Sequence, residues 1–285
     1  MSSPITLVLG GTGIKGIANI GVLQSLHNHG IKIKKIIAAG ISAPISIQFA
    51  LEDNPDILTE EFTRFFVGNY RSLWGLEQLT GLLKSPRHSI VGDFSYFLRE
   101  RTYCHANLQN TSVLSWELVE PLITGIYRDK TFADLKIPVA VSAIDLKQGE
   151  SILVEAGKLS ESIKASMAFP GILPPVSMGN MELVSSTIFC ELPLGNISKK
   201  DAPVLTIDLP SVFSGSNLRT LLEIIALVDD IRCRAIKEKL LTNTDYLFRF
   251  SGMERFRWGN YHQIPEIVTQ ARNETDKLLK TVTLP

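Results

Sequence analysis

Residues 5–16 read ITLVLGGTGIKG and place a short apolar run directly before a cluster of glycines. Such a run is typical of a strand buried in a parallel sheet, and the glycines allow the chain to turn tightly at its carboxyl end. Apolar residues then recur at near-helical spacing up to Gly30, which predicts a helix that ends there in a left-handed conformation. A second apolar run, Ile33 to Ala39, predicts another strand. Together these segments indicate a right-handed βαβ unit.

The rest of the chain continues this mixed pattern. Further strands are predicted at Val139–Ala143, Ser151–Glu155, Leu183–Phe189, Val204–Asp208 and Tyr246–Phe250. Helices are predicted at Leu159–Ala168, Asn217–Leu241 and Ile264–Leu279. The aromatic and basic stretch from Phe62 to Arg101 predicts helices over the sheet, which either pack into the core or line an acyl-chain pocket at a lipid surface. We expect one α/β domain spanning residues 1–285.

The composition excludes several classes of protein. Lys and Arg total 29 and Asp and Glu total 29, so the chain lacks the basic excess of an electrostatic nucleic-acid binder. The three cysteines show no CxxC or Cys/His spacing, which predicts neither a disulfide framework nor a zinc site. This cysteine content favours a reducing, intracellular environment for the protein. No signal peptide and no apolar run of about 20 residues is recognisable. We therefore expect a soluble cytoplasmic protein that can contact a membrane peripherally.

The glycine cluster has two interpretations. Gly11, Gly13 and Gly16 fit the GxGxxG pattern of dinucleotide-binding proteins, but the second strand ends at Ala39 and Gly40 without the acid that binds ribose hydroxyls. The alternative is a run of backbone N–H groups at a helix start, which stabilises a negative oxygen. The second interpretation makes the backbone amides of Gly11, Thr12 and Gly13 candidates for an oxyanion hole.

Ser42 is the candidate nucleophile. It lies in Gly40-Ile41-Ser42-Ala43-Pro44, between the second apolar run and another apolar stretch, where a sharp turn from strand to helix would expose its hydroxyl. Taken alone, a serine in this place is more often an ordinary helix N-cap, and it is the adjacent glycine loop that favours the nucleophile. Because loops that follow adjacent parallel strands meet at one edge of the sheet, the glycine loop and Ser42 should face one pocket. That arrangement is suited to acyl transfer.

Five blocks of the chain resemble, in order and spacing, the motifs of patatin-like phospholipases, especially the bacterial ones. They are Gly10–Gly16, Gly40–Pro44, Ile137–Leu146, Ala165–Val176 and Phe256–Asp276. The resemblance covers nearly the whole chain. It implies a three-layer α/β/α fold with a mainly parallel central sheet, and a lipid acyl hydrolase that uses Ser42 as nucleophile. Within the motifs, Gly10, Lys15, Gly16, Gly40 and Pro44 would support the site, with Lys15 either contacting an anionic headgroup or facing solvent.

The resemblance also reveals two departures. Patatin-like enzymes use a Ser/Asp dyad, and Ser185, followed by Ser186 and Thr187, stands where the family has its aspartate. A serine hydroxyl cannot accept a proton near neutral pH, so the base is missing unless Glu182, Glu191, Asp145 or Asp208 replaces it. Pro44 replaces the last glycine of GxSxG; a helix tolerates proline in its first turn, but a small shift of the nucleophile is costly.

These observations leave an enzyme and a binding protein as competing functions. The first is a lipid acyl hydrolase with impaired activity, acting on a lipid or acyl ester without a metal or organic cofactor. The alternative is an inactive pseudoenzyme of the same fold that binds acyl chains or a protein partner. A nucleotide-binding protein is a third interpretation, supported only by the GxGxxG pattern.

Overall fold

The computed structural model describes residues 3–11, 13–68, 112, 114–210, 221–253, 256 and 261–285. In these residues one sheet of eight strands has the order β5-β6-β3-β2-β1-β7-β8, with β4 paired to β3 outside this path. The strands are β1 (Ile5–Leu9), β2 (Ile33–Ala38), β3 (Val139–Asp145), β4 (Glu150–Val154), β5 (Val176–Met178), β6 (Met181–Ser185), β7 (Val204–Asp208) and β8 (Tyr246–Arg249). The helices are α1 (Ala18–Asn28), α2 (Ser42–Glu52), α3 (Leu58–Thr63), α4 (Glu120–Tyr127), α5 (Leu159–Met167), α6 (Leu221–Leu240) and α7 (Ile264–Thr281).

The sheet is mixed, with a parallel centre. Strands β3, β2, β1, β7 and β8 pair in parallel, whereas β4 and β6 each pair antiparallel with β3, and β5 pairs antiparallel with β6. The predicted β1–α1–β2 unit is confirmed, since β1 and β2 are parallel neighbours. The carboxyl ends of both strands therefore lie at one edge, where their loops can meet.

Helices cover both faces of the sheet. Alternate residues of each central strand point to opposite sides, so the apolar side chains on each face need a helical layer to bury them. Leu7 and Leu9 pack in a large core with buried residues of α1, α2, α5 and α7. Val8, between them, belongs to a second and smaller core that includes Ile37 and is packed by Ile236 and Leu240 of α6. Two cores on opposite faces give the predicted three-layer α/β/α arrangement.

Most predicted elements are present, with shifted ends. The clearest error is at Leu183–Phe189, where the strand ends at Ser185 and residues Ser186–Ile188 form a 3-10 turn. Helix α6 begins at Leu221 among the described residues, so the predicted start at Asn217 lies outside them. Likewise, residues 69–101 of the aromatic and basic stretch lie outside the described part of the chain. No described helix combines the length and apolar character that crossing a bilayer requires.

Helix α1 ends as predicted and is held closely against α7. Gly30 has φ of 66°, a left-handed conformation, and its N–H donates to the carbonyl of His27. A Cβ added to Gly21 of α1 would lie 2.2 Å from the carbonyl oxygen of Val268 and 2.7 Å from the backbone nitrogen of Arg272. Both atoms belong to the backbone of α7, so they cannot move aside as a side chain could.

Gly21→Ala should therefore destabilise the protein by about 1–3 kcal/mol, the usual cost of overpacking a core. Gly125→Ala is the matched control, because Gly125 is an exposed residue of α4 and a Cβ added there meets nothing within 4 Å. We expect Gly125→Ala to raise the free energy of unfolding by about 0.5–1 kcal/mol, since alanine loses less backbone entropy than glycine when a helix forms. Urea unfolding of the two variants measures both changes, and equal shifts would contradict the close contact between α1 and α7.

Candidate active site

Ser42 is the first residue of α2 and follows the sharp turn after β2, as the elbow interpretation requires. Gly40 makes this turn with φ of 61°, and Ser42 is fully buried. Pro44 is the third residue of α2, within the first turn, where its missing N–H has no partner in the helix. The helix runs without interruption from Ser42 to Glu52, so the proline does not break it.

The hydroxyl of Ser42 is held by two groups from the glycine loop and α1. Ser42 Oγ donates to the carbonyl oxygen of Gly10 at 2.8 Å. The side-chain Nδ2 of Asn19 donates to Ser42 Oγ at 2.8 Å and to the Gly10 carbonyl at 2.8 Å. Asn19 is fully buried in the first turn of α1. The proton of Ser42 therefore points to a neutral carbonyl, which is not a base.

The glycine loop and the Ser42 turn are in direct contact. A Cβ added to Gly16 would lie 2.1 Å from Cγ2 of Ile41, the residue before Ser42. A Cβ added to Gly40 would lie 3.0 Å from the carbonyl oxygen of Gly11. These distances explain why both loops need glycine, and they place the predicted oxyanion loop beside the predicted nucleophile. Lys15 lies half-buried in the 3-10 turn Gly13–Ile17 that follows the loop.

The three predicted oxyanion donors differ in their surroundings. The N–H of Gly11 donates to the carbonyl oxygen of Glu191 at 3.3 Å, and a Cβ added to Gly10 would lie 2.0 Å from that same oxygen. Thr12 lies outside the described residues. Gly13 begins the 3-10 turn, so its N–H has no carbonyl within that turn to bond. Of the two described amides, that of Gly13 fits the predicted role better.

Ser185 ends β6 close to the Ser42 turn. Ser185 pairs with Ala143 of β3. Val141, two residues before Ala143, pairs with Ala38 of β2. Two residues beyond Ala38 is Gly40, so Ser185 and Gly40 lie at the same level across the sheet. The Ser185 hydroxyl shares a hydrogen bond of 2.8 Å with Thr187 Oγ1. A Cβ added to Gly40 would lie 2.9 Å from Cγ2 of Thr187, so the turn after β6 packs directly on the elbow.

A cavity of about 310 Å³ lies beside the elbow. Ile41 and Pro44, which flank Ser42, form one wall, although Ser42 is not itself a lining residue. Most other lining side chains are apolar or aromatic and come from α3, α4, α5 and the turn after α3: Phe62, Phe65, Phe66, Ile123, Ile126, Tyr127, Ile163 and Met167. The size and apolar lining suit one aliphatic chain.

Burial raises the pKa of two ionisable groups in the cavity wall. It raises the pKa of the Glu61 carboxyl, although a hydrogen bond with Gln48 acts in the opposite direction. It also raises the pKa of Tyr127, with a smaller contribution from the nearby Glu61 charge. The Tyr127 hydroxyl donates to the Pro44 carbonyl at 3.3 Å and so links α4 to the elbow. Arg64 lines the same cavity, so its wall is mainly apolar with one basic side chain.

Comparison with known protein families decides the assignment. A sequence model described as patatin-like phospholipase matches residues 7–193, which contain the glycine loop, Ser42 and Ser185. The chain belongs to the patatin-like phospholipase family. The solved structure of VipD from Legionella pneumophila has the same fold, with a TM-score of 0.52 at 12% identity over 98% of this chain and 67% of that one.

Relatives of this patatin-like chain include members of the NTE family. An uncharacterized NTE family protein of Mycobacterium tuberculosis is 25% identical over 205 residues, covering 70% of this chain and 48% of that protein. Lysophospholipase NTE1 of Debaryomyces hansenii is 25% identical over 209 residues, covering 73% of this chain and 12% of that protein. The patatin-like chain thus spans about half of the first relative and a small part of the second.

The acids that the sequence offered as replacements for the family's aspartate are bound elsewhere. Asp145 Oδ1 accepts from the backbone N–H groups of Lys147 at 3.0 Å and Glu182 at 3.1 Å. Glu182 accepts from the hydroxyl of Ser177 at 2.9 Å. Asp208 is paired with Lys237 and Arg249. Across the described ranges, no carboxylate forms a hydrogen bond with Ser42.

A buried network of charges lies behind the glycine loop. Lys237 of α6 pairs with Asp208 at 3.0 Å and with Glu191 at 3.4 Å, and the Lys237 and Asp208 side chains are only 8% and 2% exposed. Burial acts to lower the pKa of Lys237, but the two carboxylates outweigh it and raise the pKa above the ordinary lysine value. Arg249 pairs with Asp208 at 2.8 Å and extends the network to Glu238 at the surface. The network thus anchors Glu191, whose carbonyl contacts Gly10 and Gly11.

The described residues contain no cluster of His, Cys, Asp and Glu side chains that could hold a metal ion. Cys190 and Cys233 are free thiols, while Cys104 lies outside the described residues. Burial raises the pKa of both thiols, that of Cys233 to about 11, so neither is activated as a nucleophile.

Two site residues were missed from the sequence. Asn19 donates to Ser42, and Ser166 donates from α5 to the Gly40 carbonyl at 2.9 Å. Asn19 had one local signal, because it is a polar residue among apolar residues that recur at helical spacing. Ser166 had none, since its contact spans 126 residues of chain.

Proposed function

We propose that this chain is a patatin-like lipid acyl hydrolase that uses Ser42 as nucleophile and works slowly because Ser185 supplies no base. The observation that carries the proposal is the contact between the Ser42 elbow and the glycine loop, with Ser42 Oγ held 2.8 Å from the Gly10 carbonyl. This is the arrangement that acyl transfer needs: an oriented nucleophile beside backbone donors.

In the proposed reaction, Ser42 Oγ forms a bond to the ester carbonyl carbon, and its proton passes to solvent. The carbonyl electron pair moves to the oxygen, which the glycine-loop amides stabilise, with Gly13 as the best placed donor. Collapse of this intermediate breaks the bond to the leaving oxygen, which takes a proton from solvent and departs as the alcohol. The acyl-enzyme that remains is then hydrolysed by water. The cavity beside Ile41 and Pro44 would hold the acyl chain during both steps.

A fluorophosphonate probe and a p-nitrophenyl acyl ester test this proposal, with Ser42→Ala as the control. We expect slow labelling and slow turnover by the wild-type chain, both lost in Ser42→Ala. Wild-type rates equal to those of the control would overturn the hydrolase function.

The second candidate is a pseudoenzyme that binds acyl chains without turning them over. One observation favours it: the Ser42 hydroxyl donates to a carbonyl, and the described acids considered as replacements have other partners. Calorimetry with a long-chain fatty acid distinguishes the two, because this candidate predicts binding that Ser42→Ala leaves unchanged, together with absent turnover. Binding of neither ester nor fatty acid would contradict both candidates.

Filling the cavity should shorten the chains that bind. Ile163 of α5 is buried in the cavity wall, and Ile163→Phe would occupy space now available to a ligand. Excluding two methylene groups costs about 1.6 kcal/mol, or roughly tenfold in affinity. We expect a long-chain fatty acid to lose this affinity while butyrate does not. Ile231→Phe, on the exposed side of α6, is the control and should change neither value.

We further propose that residues 1–285 act as one domain that meets its lipid at a membrane surface from the cytoplasm. The family supports a lipid substrate, and the cavity supports an acyl chain. The roles assigned to Lys15, Gly16 and Pro44 stay predictions within this proposal.

A further inference from the structure

We propose that Asn19 is a catalytic residue, whose side-chain N–H stabilises the negative charge that develops on Ser42 Oγ during reaction. This inference rests on the proposed hydrolase function. It assigns to α1 a part of the chemistry beyond the nucleophile and the glycine loop.

The geometry places Asn19 directly on the reacting atom. Its Nδ2 lies 2.8 Å from Ser42 Oγ and 2.8 Å from the Gly10 carbonyl, which itself accepts the Ser42 proton at 2.8 Å. Asn19 and Ser42 are both fully buried, where a hydrogen bond is electrostatically stronger than in water.

The other end of the same side chain has no use in the fold. Among the described residues nothing donates to Asn19 Oδ1, although this oxygen is buried. Leaving a buried acceptor unpaired lowers the stability of the fold. A leucine of similar shape would fill the space without that cost, so packing does not explain an asparagine here. The Nδ2 end, aimed at Ser42 Oγ, does explain it.

The missing base makes this hydrogen bond matter more. Ser185 cannot take the Ser42 proton, so charge builds up on Oγ as the proton leaves to water and the Oγ–carbon bond forms. A hydrogen bond donated to a charged oxygen favours the charged form and lowers the pKa of its hydroxyl. The same N–H assists again in deacylation, when the Oγ–carbon bond breaks and the electron pair returns to Oγ.

The test measures the rate at which a fluorophosphonate phosphonylates Ser42, followed by intact mass from pH 6 to 10. In this reaction the Oγ–P bond forms, the P–F bond breaks, fluoride leaves and the serine proton passes to solvent. For Asn19→Leu we expect labelling about 100-fold slower than wild type, the loss typical of removing one such donor. We also expect its rate to rise only at higher pH, because the Ser42 pKa is no longer lowered. The melting temperature should equal or exceed that of wild type, since the unpaired Oδ1 is gone.

Two further variants complete the test. Asn19→Ala removes the same donor without a branched side chain and should lose labelling similarly, which covers the case in which leucine does not fit. Ser25→Ala is the matched control on α1, because Ser25 is buried and donates to Asp276, away from Ser42. It should lower stability and leave labelling unchanged.

The outcomes separate this inference from the function on which it rests. Asn19 variants that label as fast as wild type, or that lose labelling only in proportion to stability with an unshifted pH profile, overturn the role of Asn19 alone. Wild-type labelling no faster than Ser42→Ala overturns the hydrolase function, and the role of Asn19 falls with it.

Discussion

Ser185→Asp is expected to raise the rate of ester hydrolysis by roughly 100-fold to 10,000-fold, the usual contribution of a positioned general base. Ser185 is 1% exposed and level with Gly40, and the turn that follows it packs on the elbow. A carboxylate introduced there would stand at the position that, by resemblance, corresponds to the dyad aspartate of the family. Turnover of a p-nitrophenyl acyl ester measures the gain.

The fold can hold that carboxylate. The hydroxyl of Thr187, which now shares a hydrogen bond of 2.8 Å with Ser185 Oγ, can donate to the new carboxylate. The backbone N–H of Ser185 donates to the carbonyl of Ala168, and this hydrogen bond does not depend on the side chain. A base acts only when ionised, so the rate should rise as pH increases through the pKa of the new carboxyl. Burial disfavours the charged form, so this rise should come above the ordinary aspartate pKa of about 3.9.

Two neighbouring variants control for shape and charge. Ser185→Asn has nearly the same shape as the aspartate variant but no base, and it should remain at the wild-type rate or below. Ser186→Asp carries the same charge one residue further on, where the native hydroxyl donates to the Ser142 carbonyl at 3.2 Å. If either control matched Ser185→Asp, position 185 would not be the place of the missing base.

Lys237→Met is expected to destabilise the protein by about 3 kcal/mol. Removing one partner of a buried ion pair typically costs about 3–5 kcal/mol, because the other charge is left buried. Asp208, 2% exposed, would keep its bond to Arg249, which favours the lower end of that range. Glu191 would lose its anchor to α6, so the Gly10–Gly11 contact should loosen as well.

The pH dependence of this effect has a defined sign. The folded-state pKa of Lys237 is raised, so its pair contributes fully below the unfolded lysine pKa of about 10.4 and is lost as pH rises through the folded value. The difference between wild type and Lys237→Met should therefore stay constant from pH 7 to 9. Denaturant unfolding at several pH values measures it. A difference that shrinks across this window would contradict the raised pKa.

Lys239→Met provides the comparison on the same helix. Lys239 is exposed, so losing its charge should change stability by no more than about 0.5 kcal/mol. An equal loss in both variants would show that helix α6 responds to any lost lysine and would contradict the role of the buried network.

The sequence was informative where structure follows from local pattern. Strands β1 and β7 have the predicted bounds, and α1 ends at Gly30 because only a residue without a Cβ turns there at no cost. The elbow at Ser42 was predictable for the same reason, since a glycine must precede it with positive φ. The predicted end of strand β6, at Phe189, was too late. The apolar residues Ile188 and Phe189 continue the strand-like pattern past Ser185, whereas the backbone there forms a 3-10 turn.

By itself, the sequence determined the family, the position of Ser42 at the turn after the second strand and the absence of an aspartate at position 185. These depend on residue identity and spacing, which folding does not alter. Only the tertiary structure decided what touches the Ser42 hydroxyl: Gly10 and Asn19, with Asp145, Asp208 and Glu191 bound to other partners. Those contacts join residues far apart in the chain, and whether a polar side chain reaches one neighbour or another depends on how strands and helices pack in three dimensions.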